Sequence, residues 1–326
     1  MDDFNWAVTG TGGIIPTFLT GLREAGGTAA AVVSRSESRA RDFVAKNGIP
    51  AAFGDFDEML RRPEIHAVYV GSPHQTHCRL TVKALRAGKA VLCEKPFAVN
   101  AAQAGEMIAA AREGGVFLME AMWTRFLPAI RKVRAWLAAG RIGTPGTVHA
   151  GFGIRARFDP ESRLFKAELG GGSLLDLGVY PLAFASMVFG GEKPAGIVAR
   201  LFLGETGVDE EAAAVLVYGG GRTAVVSSSL RTAFANEAWI YGSSGRIHVP
   251  SFFNATAATL FGDDGLTEEY RQSDAASGFS FEIAEFMRLV RAGRTESPEM
   301  PLAETLLVAE TMDRIREQGG LRYPFE

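Results

Sequence analysis

The sequence predicts an α/β protein, with an N-terminal doubly wound parallel sheet followed by an α+β domain built on a large, mostly antiparallel open sheet. Three observations carry this prediction. From residue 4 to residue 119 short apolar runs alternate with amphipathic stretches, which is the rhythm of repeated βαβ units. After Trp123 longer strand-like runs follow one another through turns such as Tyr218-Gly-Gly-Gly-Arg222, as antiparallel neighbours do. The 326 residues exceed what one hydrophobic core usually supports, so two domains are expected, 1–123 and 124–326.

Each element has a local reason. Residues 4–9 read as a strand, 10–13 as a glycine turn and 14–25 as a helix with Pro16 in its first turn, where a missing N–H is harmless. Strands follow at 28–33, 66–70, 90–93 and 116–119, separated by helices at 37–47, 76–87 and 101–114. In the second half a helix at 127–139 leads to strands at 147–154, 195–203, 212–218, 222–230 and 238–241. Helices at 172–189, 281–292 and 302–318 would cover one face of that sheet. Its other face has no evident cover, which makes it a candidate homodimer interface.

Composition excludes several classes of function. Hydrophobic residues make up 47% and charged residues 22%, ordinary for a soluble globular chain. With 34 basic against 37 acidic residues the net charge is -3, leaving no electrostatic footprint for nucleic acid or an anionic membrane. No apolar run approaches the roughly 18 residues of a membrane span. Met1-Asp-Asp-Phe-Asn-Trp6 enters a strand directly and resembles no signal or transit peptide. Two cysteines, Cys78 and Cys93, form neither a disulfide framework nor a metal spacing. A cytoplasmic protein acting on small molecules is the expectation.

The first strand-to-helix turn, Gly10-Thr11-Gly12-Gly13-Ile14-Ile15, supplies two glycines of a dinucleotide fingerprint, for a tight turn and for backbone approach to a pyrophosphate. Ile15 stands where the third small residue belongs, with Gly13 beside it to relieve the packing. At the end of the second strand an acid would hold a ribose 2'-hydroxyl. This chain has Ser34-Arg35-Ser36 and then Arg39, a set that suits a 2'-phosphate, so NADP is preferred and NAD is the weaker cofactor. Three further segments end strands on the same rim, where open parallel sheets bind ligands: Ser72-Pro73-His74-Gln-Thr-His77, Glu94-Lys95-Pro96, and Glu120-Ala-Met-Trp123-Thr-Arg125. His74 and His77 have no third ligand nearby in sequence, so no metal is expected.

In order and spacing, G-x-G, S-P-H-x-x-H, C-E-K-P and Gly170-Gly-Gly-Ser-Leu-Leu-Asp-Leu-Gly-Val-Tyr-Pro181 resemble the Gfo/Idh/MocA oxidoreductase family over essentially the whole chain. Residues 120–128 and Arg163-Leu-Phe165 look most like its branch of dimeric dihydrodiol dehydrogenases and NADP-dependent D-xylose dehydrogenases. The resemblance implies a Rossmann domain and hydride transfer at a hydroxyl carbon of a sugar or cyclic trans-dihydrodiol. It implies Tyr180 as acid/base with Lys95 assisting. Asp176, four residues before Tyr180, would share its helix face and orient the substrate or the lysine. Glu94 is expected to hold the loop or pair with Lys95, Pro96 to follow a cis bond, and His74 to contact the nicotinamide ribose. Trp123 and Arg125 would line the cofactor and substrate cleft; Arg155, Arg157 and Arg163 are candidates to reach the substrate. The rival class is a non-catalytic dinucleotide- and sugar-binding regulator of the same fold.

Overall fold

The computed structural model describes residues 4–273 and 276–326. The first elements in chain order are β1 Asn5–Thr9, α1 Ile14–Glu24, β2 Thr28–Val33, α2 Glu37–Asn47, β3 Ala51–Phe53, α3 Phe56–Leu60, β4 Ala67–Val70, α4 His77–Arg86, β5 Ala90–Glu94, α5 Ala101–Gly114 and β6 Leu118–Ala121. Then come α6 Pro128–Ala138, β7 Pro145–Gly153, α7 Val179–Val188, β8 Gly196–Leu203, β9 Asp209–Val217, β10 Thr223–Ser229, β11 Ala238–Gly242 and β12 Gly245–Val249. The remaining elements are β13 Ala257–Gly262, β14 Gly265–Arg271, α8 Gly278–Arg291 and α9 Leu302–Gly319.

The described residues fall into two compact units: one within Met1–Ala98, Ala102–Trp123 and Ala276–Leu302, the other within Val99–Ala101, Thr124–Ala275 and Ala303–Glu326. Residues 276–302, which by sequence follow the second domain's strands, pack with the first unit. Aromatic packing explains this. Phe286 of α8 lies 4.6 Å from Trp6 and 4.9 Å from Phe117, ring centre to ring centre, and both Trp6 and Phe286 are completely buried. Each such ring contributes about 1.5–3 kcal/mol by leaving water.

The first unit holds a six-stranded sheet in the order β3-β2-β1-β4-β5-β6, with every neighbouring pair parallel. All strands therefore end on one rim, and the order reverses between β1 and β4, where such sheets bind ligands. β4 and β5 are buried along their whole length, as expected of parallel strands covered on both faces. β3 and α3 were not predicted; three and five residues are too few to show a period. β6 begins two residues later than expected.

The second unit holds an eight-stranded sheet in the order β14-β13-β12-β11-β7-β10-β9-β8, antiparallel except between β7 and β10. Pairing aligns Val198, Val215, Val225, His149, Trp239, His248, Thr259 and Glu269 in one row across all eight strands. Val198, Val215 and Val225 of that row are 70%, 38% and 42% exposed. The alternate residues, such as Leu216, Ala224, Val148, Ile240, Ile247 and Leu260, are buried under α7 on β7 and β10 and α6 on β13 and β14. α6 takes the covering place that the sequence reading gave to 281–292. β12, β13 and β14 were not predicted; β14, Gly-Leu-Thr-Glu-Glu-Tyr-Arg, has too few apolar residues to show a clear alternation.

One expectation on length is corrected. Ala167–Val188 is long and apolar enough to cross a membrane by length and composition, with hydropathy 1.3, yet 94% of that window is buried inside the protein. The stretch includes the turn Leu174–Gly178 and α7, and its burial is that of a core segment.

Candidate active site

In the first unit, Gly10 takes a φ of +87° and donates its N–H to the Val33 carbonyl at 2.8 Å, joining the ends of β1 and β2. Thr11 and Ile14 are half-buried, and Gly12 and Gly13 are exposed, with open space where a Cβ would stand. No side chain caps the start of α1. Backbone N–H groups there are open to a phosphate, and the helix dipole favours one. Ile15 is fully buried, but Gly13 does not accommodate it. Gly71 does: a Cβ there would stand 2.9 Å from Ile15 Cδ1 and 2.7 Å from Tyr69 Cε1. The missing third glycine is thus compensated from the end of β4.

At the end of β2, Arg35 and Arg39 are exposed. Ser36 caps α2 by accepting from the Arg39 N–H at 3.4 Å, while Glu37 pairs with Arg41 at 2.5 Å. Ser34, Arg35 and Ser36 thus lie on the short turn after β2, and Arg39 in the first turn of α2.

The loops after β4 and β5 are tied together by His77, which is fully buried. Its Nε2 meets the Ser72 carbonyl at 2.7 Å and its Nδ1 the Pro96 carbonyl at 3.0 Å. Burial pushes His77 below the ordinary histidine value. Both ring nitrogens lie within hydrogen-bond distance of backbone carbonyls, so His77 brackets the two loops, a neutral ring donating to one of the two carbonyls. Ser72 Oγ bonds Thr76 Oγ1 at 2.6 Å, Pro73 is exposed, and the buried His74 ring lies 5.7 Å from His77. The Lys95–Pro96 bond is cis, as expected. Glu94 accepts from the Tyr69 hydroxyl at 2.5 Å and from the Lys95 N–H at 3.2 Å, which answers what it does: it holds the loop that presents the half-buried Lys95. Trp123 stacks on Phe279 with ring centres 5.3 Å apart.

Behind that loop lies an acid the sequence reading passed over. Glu282 on α8 is fully buried, and neither carboxyl oxygen has a hydrogen-bond partner among the described residues. Burial first, and repulsion from Glu94 second, raise its pKa well above the ordinary value. A folded value above the unfolded one means a contribution present below pH about 4.5 and lost as pH rises toward the folded value. Glu282→Met is therefore expected to stabilise the protein, by about 1–3 kcal/mol at pH 8, and by less near pH 5. Urea unfolding at both values checks this; an equal gain at both would show that no proton linkage exists.

In the second unit, Asp176 sits in a π-helical turn, Leu174–Gly178, that precedes α7. The expected single helix over 172–189 is thus two elements, and the argument from one α-turn of spacing does not apply to Asp176 and Tyr180. Asp176 is 5% exposed and takes Arg163 at 2.9 Å; Arg155, Arg157 and Arg163 are all exposed, and Arg163 is the one of the three that pairs with Asp176. Tyr180 is 6% exposed, edge-on to Phe152 at 5.4 Å and to Phe253 at 6.2 Å, and these two phenylalanines stack on each other at 4.1 Å. Arg125 is held within the second unit. It is 3% exposed, donates to Glu304 through two nitrogens, one at 3.1 Å, and to the Ala183 carbonyl at 2.9 Å. It joins α9 to α7, and its expected place in the cofactor and substrate cleft gains no support.

The N-terminal oxidoreductase family model with an NAD-binding Rossmann fold matches residues 4–122, and the Gfo/Idh/MocA C-terminal domain model matches residues 130–248. The chain belongs to the Gfo/Idh/MocA family. Among curated relatives of this Gfo/Idh/MocA protein, the trans-1,2-dihydrobenzene-1,2-diol dehydrogenase of Xenopus laevis is 39% identical over 98% of this chain and 99% of that protein. The corresponding protein of Bos taurus is 36% identical over 98% of both. A solved 3-ketoreductase from Actinomadura kijaniata, in complex with NADP and TDP-benzene, superposes with a TM-score of 0.85 at 29% identity over 98% of each chain. An aldose-aldose oxidoreductase from Caulobacter crescentus gives 0.87 at 25% identity over 98% of each chain. The Gfo/Idh/MocA chain is accordingly a dehydrogenase or reductase of the kind that acts on diols and sugars, and the regulatory alternative has no observation in its favour.

Proposed function

We propose that the protein is an NADP-preferring oxidoreductase that moves hydride at a hydroxyl carbon of an aldose such as D-xylose or of a cyclic trans-dihydrodiol. Full-length likeness to trans-dihydrodiol dehydrogenases, in a chain that keeps Lys95 after β5 and Tyr180 on α7, carries the reading. The bound nicotinamide would give or take the hydride. The chain's own part is the proton: Tyr180 takes it from the substrate hydroxyl or returns it, and Lys95 is the cation that favours the phenolate of a group whose free value is near 10. Buried aromatic neighbours keep water from Tyr180, and Arg163 with Asp176 offers donors and acceptors to sugar or diol hydroxyls.

The residues at the end of β2 fit an NADP 2'-phosphate, since exposed guanidiniums beside hydroxyls offer charge-assisted bonds. Arg35→Asp is expected to raise KM for NADP by one to two orders of magnitude and to change KM for NAD little, since a lost charged hydrogen bond is worth about 1.5–3 kcal/mol. A panel of aldoses, inositols and dihydrodiols followed at 340 nm with both cofactors tests the whole reading; equal loss with NADP and NAD would remove Arg35 from the 2'-phosphate.

The same reading includes a homodimer through the open face of the eight-stranded sheet and work in the cytoplasm, where the free thiols of Cys78 and Cys93 would stay reduced. The exposed valine row is the support for the dimer, because contiguous apolar surface of this kind marks interfaces. Val225→Glu is expected to halve the mass in light scattering; an unchanged mass, whether one chain or two, would remove this face from any dimer.

A further inference from the structure

The turn that leads into Asp176 and Tyr180 is gripped by two residues from distant parts of the sequence. Asp209, the first residue of β9, is fully buried. Its Oδ2 accepts from Ser173 Oγ at 2.8 Å and from the Leu174 N–H at 2.6 Å. Its Oδ1 lies 2.2 Å from where a Cβ on Gly172 would stand, so with a φ of +117° that position admits only glycine. Tyr323, beyond α9, is 3% exposed and donates its hydroxyl to the Gly171 carbonyl at 2.6 Å. Tyr323 is itself fixed: its N–H reaches Glu326 at 3.0 Å, and Glu326 pairs with the buried Arg316 at 2.8 Å. Burial raises the Asp209 carboxyl to about 7, with the Arg316 charge opposing that rise.

These anchors act where register matters most. A π-turn carries one more residue than an α-turn and is rarely adopted without cause. A slip of one residue into ordinary α-helix would rotate every following side chain by about 100°, since 3.6 residues make a turn. We propose that Asp209 and Tyr323 are positioning residues for Asp176 and Tyr180, fixing the point at which the chain enters the Leu174–Gly178 turn that leads into α7. The inference rests on the reading of Tyr180 as the acid/base.

Two readouts test it on the full chain. Amide exchange in residues 174–180 is expected to quicken at least tenfold in Tyr323→Phe and in Asp209→Ala, a measurement that needs no substrate. With trans-1,2-dihydrobenzene-1,2-diol and D-xylose as probes and NADP saturating, kcat is expected to fall about tenfold in each variant with KM for NADP unchanged. Asp209→Asn, which keeps an acceptor for Ser173 and Leu174, should recover most of the loss. Because both residues hold one turn, the double variant should lose less than the product of the single losses. Unchanged exchange in 174–180, or a lowered melting temperature with kcat intact, would overturn the proposal. If Tyr180→Phe abolishes turnover while Tyr323→Phe leaves exchange and kcat unaltered, this inference fails alone; if Tyr180→Phe is fully active, the reading beneath it fails.

Discussion

Tyr180→Phe is expected to lower kcat by about 10²–10⁴-fold, the range that positioned acid/base groups supply, while KM for NADP stays within a factor of two or three. The substitution removes one oxygen. The ring keeps its edge contacts with Phe152 and Phe253, so the melting temperature should hold and the loss can be assigned to chemistry. Lys95→Met should cost a similar factor and, in the oxidation direction, move the limb on which turnover rises with pH to higher pH, because the cation that favours phenolate is gone. Together the two should lose little more than either alone, as residues acting as a unit do. Stopped-flow measurement of NADPH formation separates chemistry from product release. Turnover within tenfold of wild type in Tyr180→Phe would end the acid/base assignment.

How much of this was legible in the sequence follows from what each feature depends on. The βαβ series was readable because buried parallel strands and amphipathic helices each impose a period on ten residues or so. The glycine turn was readable because a tight strand-to-helix turn demands glycine at a fixed offset from the first strand, and Arg35 and Arg39 are expected there on the same kind of argument. Gly71 was not, since its need for a small residue comes partly from Ile15, 56 positions away in sequence, packing beside it. The same holds for the bond from Tyr69 to Glu94 and for the grip of Asp209 and Tyr323. Glu282 left one readable sign, a carboxyl inside the apolar run Phe279-Ser-Phe-Glu-Ile, but only its total burial shows that it does not face water. The placing of α8 in the first unit was hidden for a simpler reason: an amphipathic stripe shows that a helix has a partner without saying which sheet supplies it.

Glu304→Ala is expected to destabilise the second unit by about 3–5 kcal/mol, the cost of leaving one member of a buried ion pair uncompensated. Arg125 would remain almost wholly inside the protein, losing two hydrogen bonds to carboxylate oxygens and keeping only the Ala183 carbonyl among these partners. Ser186, whose hydroxyl reaches Glu304 at 2.7 Å, loses its acceptor as well. Glu304→Gln retains an acceptor without the charge and should fall between. The pair is not needed for stability as such, because apolar replacements of like volume often match a buried ion pair; Arg125→Met with Glu304→Leu should therefore recover most of the loss in a denaturant titration. That double variant also decides the role of Arg125. If NADP affinity in it equals wild type, the guanidinium is a brace between α7 and α9, and the arginine of Trp-Thr-Arg serves the cofactor only by keeping the helix of Tyr180 in place. A large loss of NADP affinity in a protein of restored stability would instead return Arg125 to the cofactor site that the sequence suggested for it.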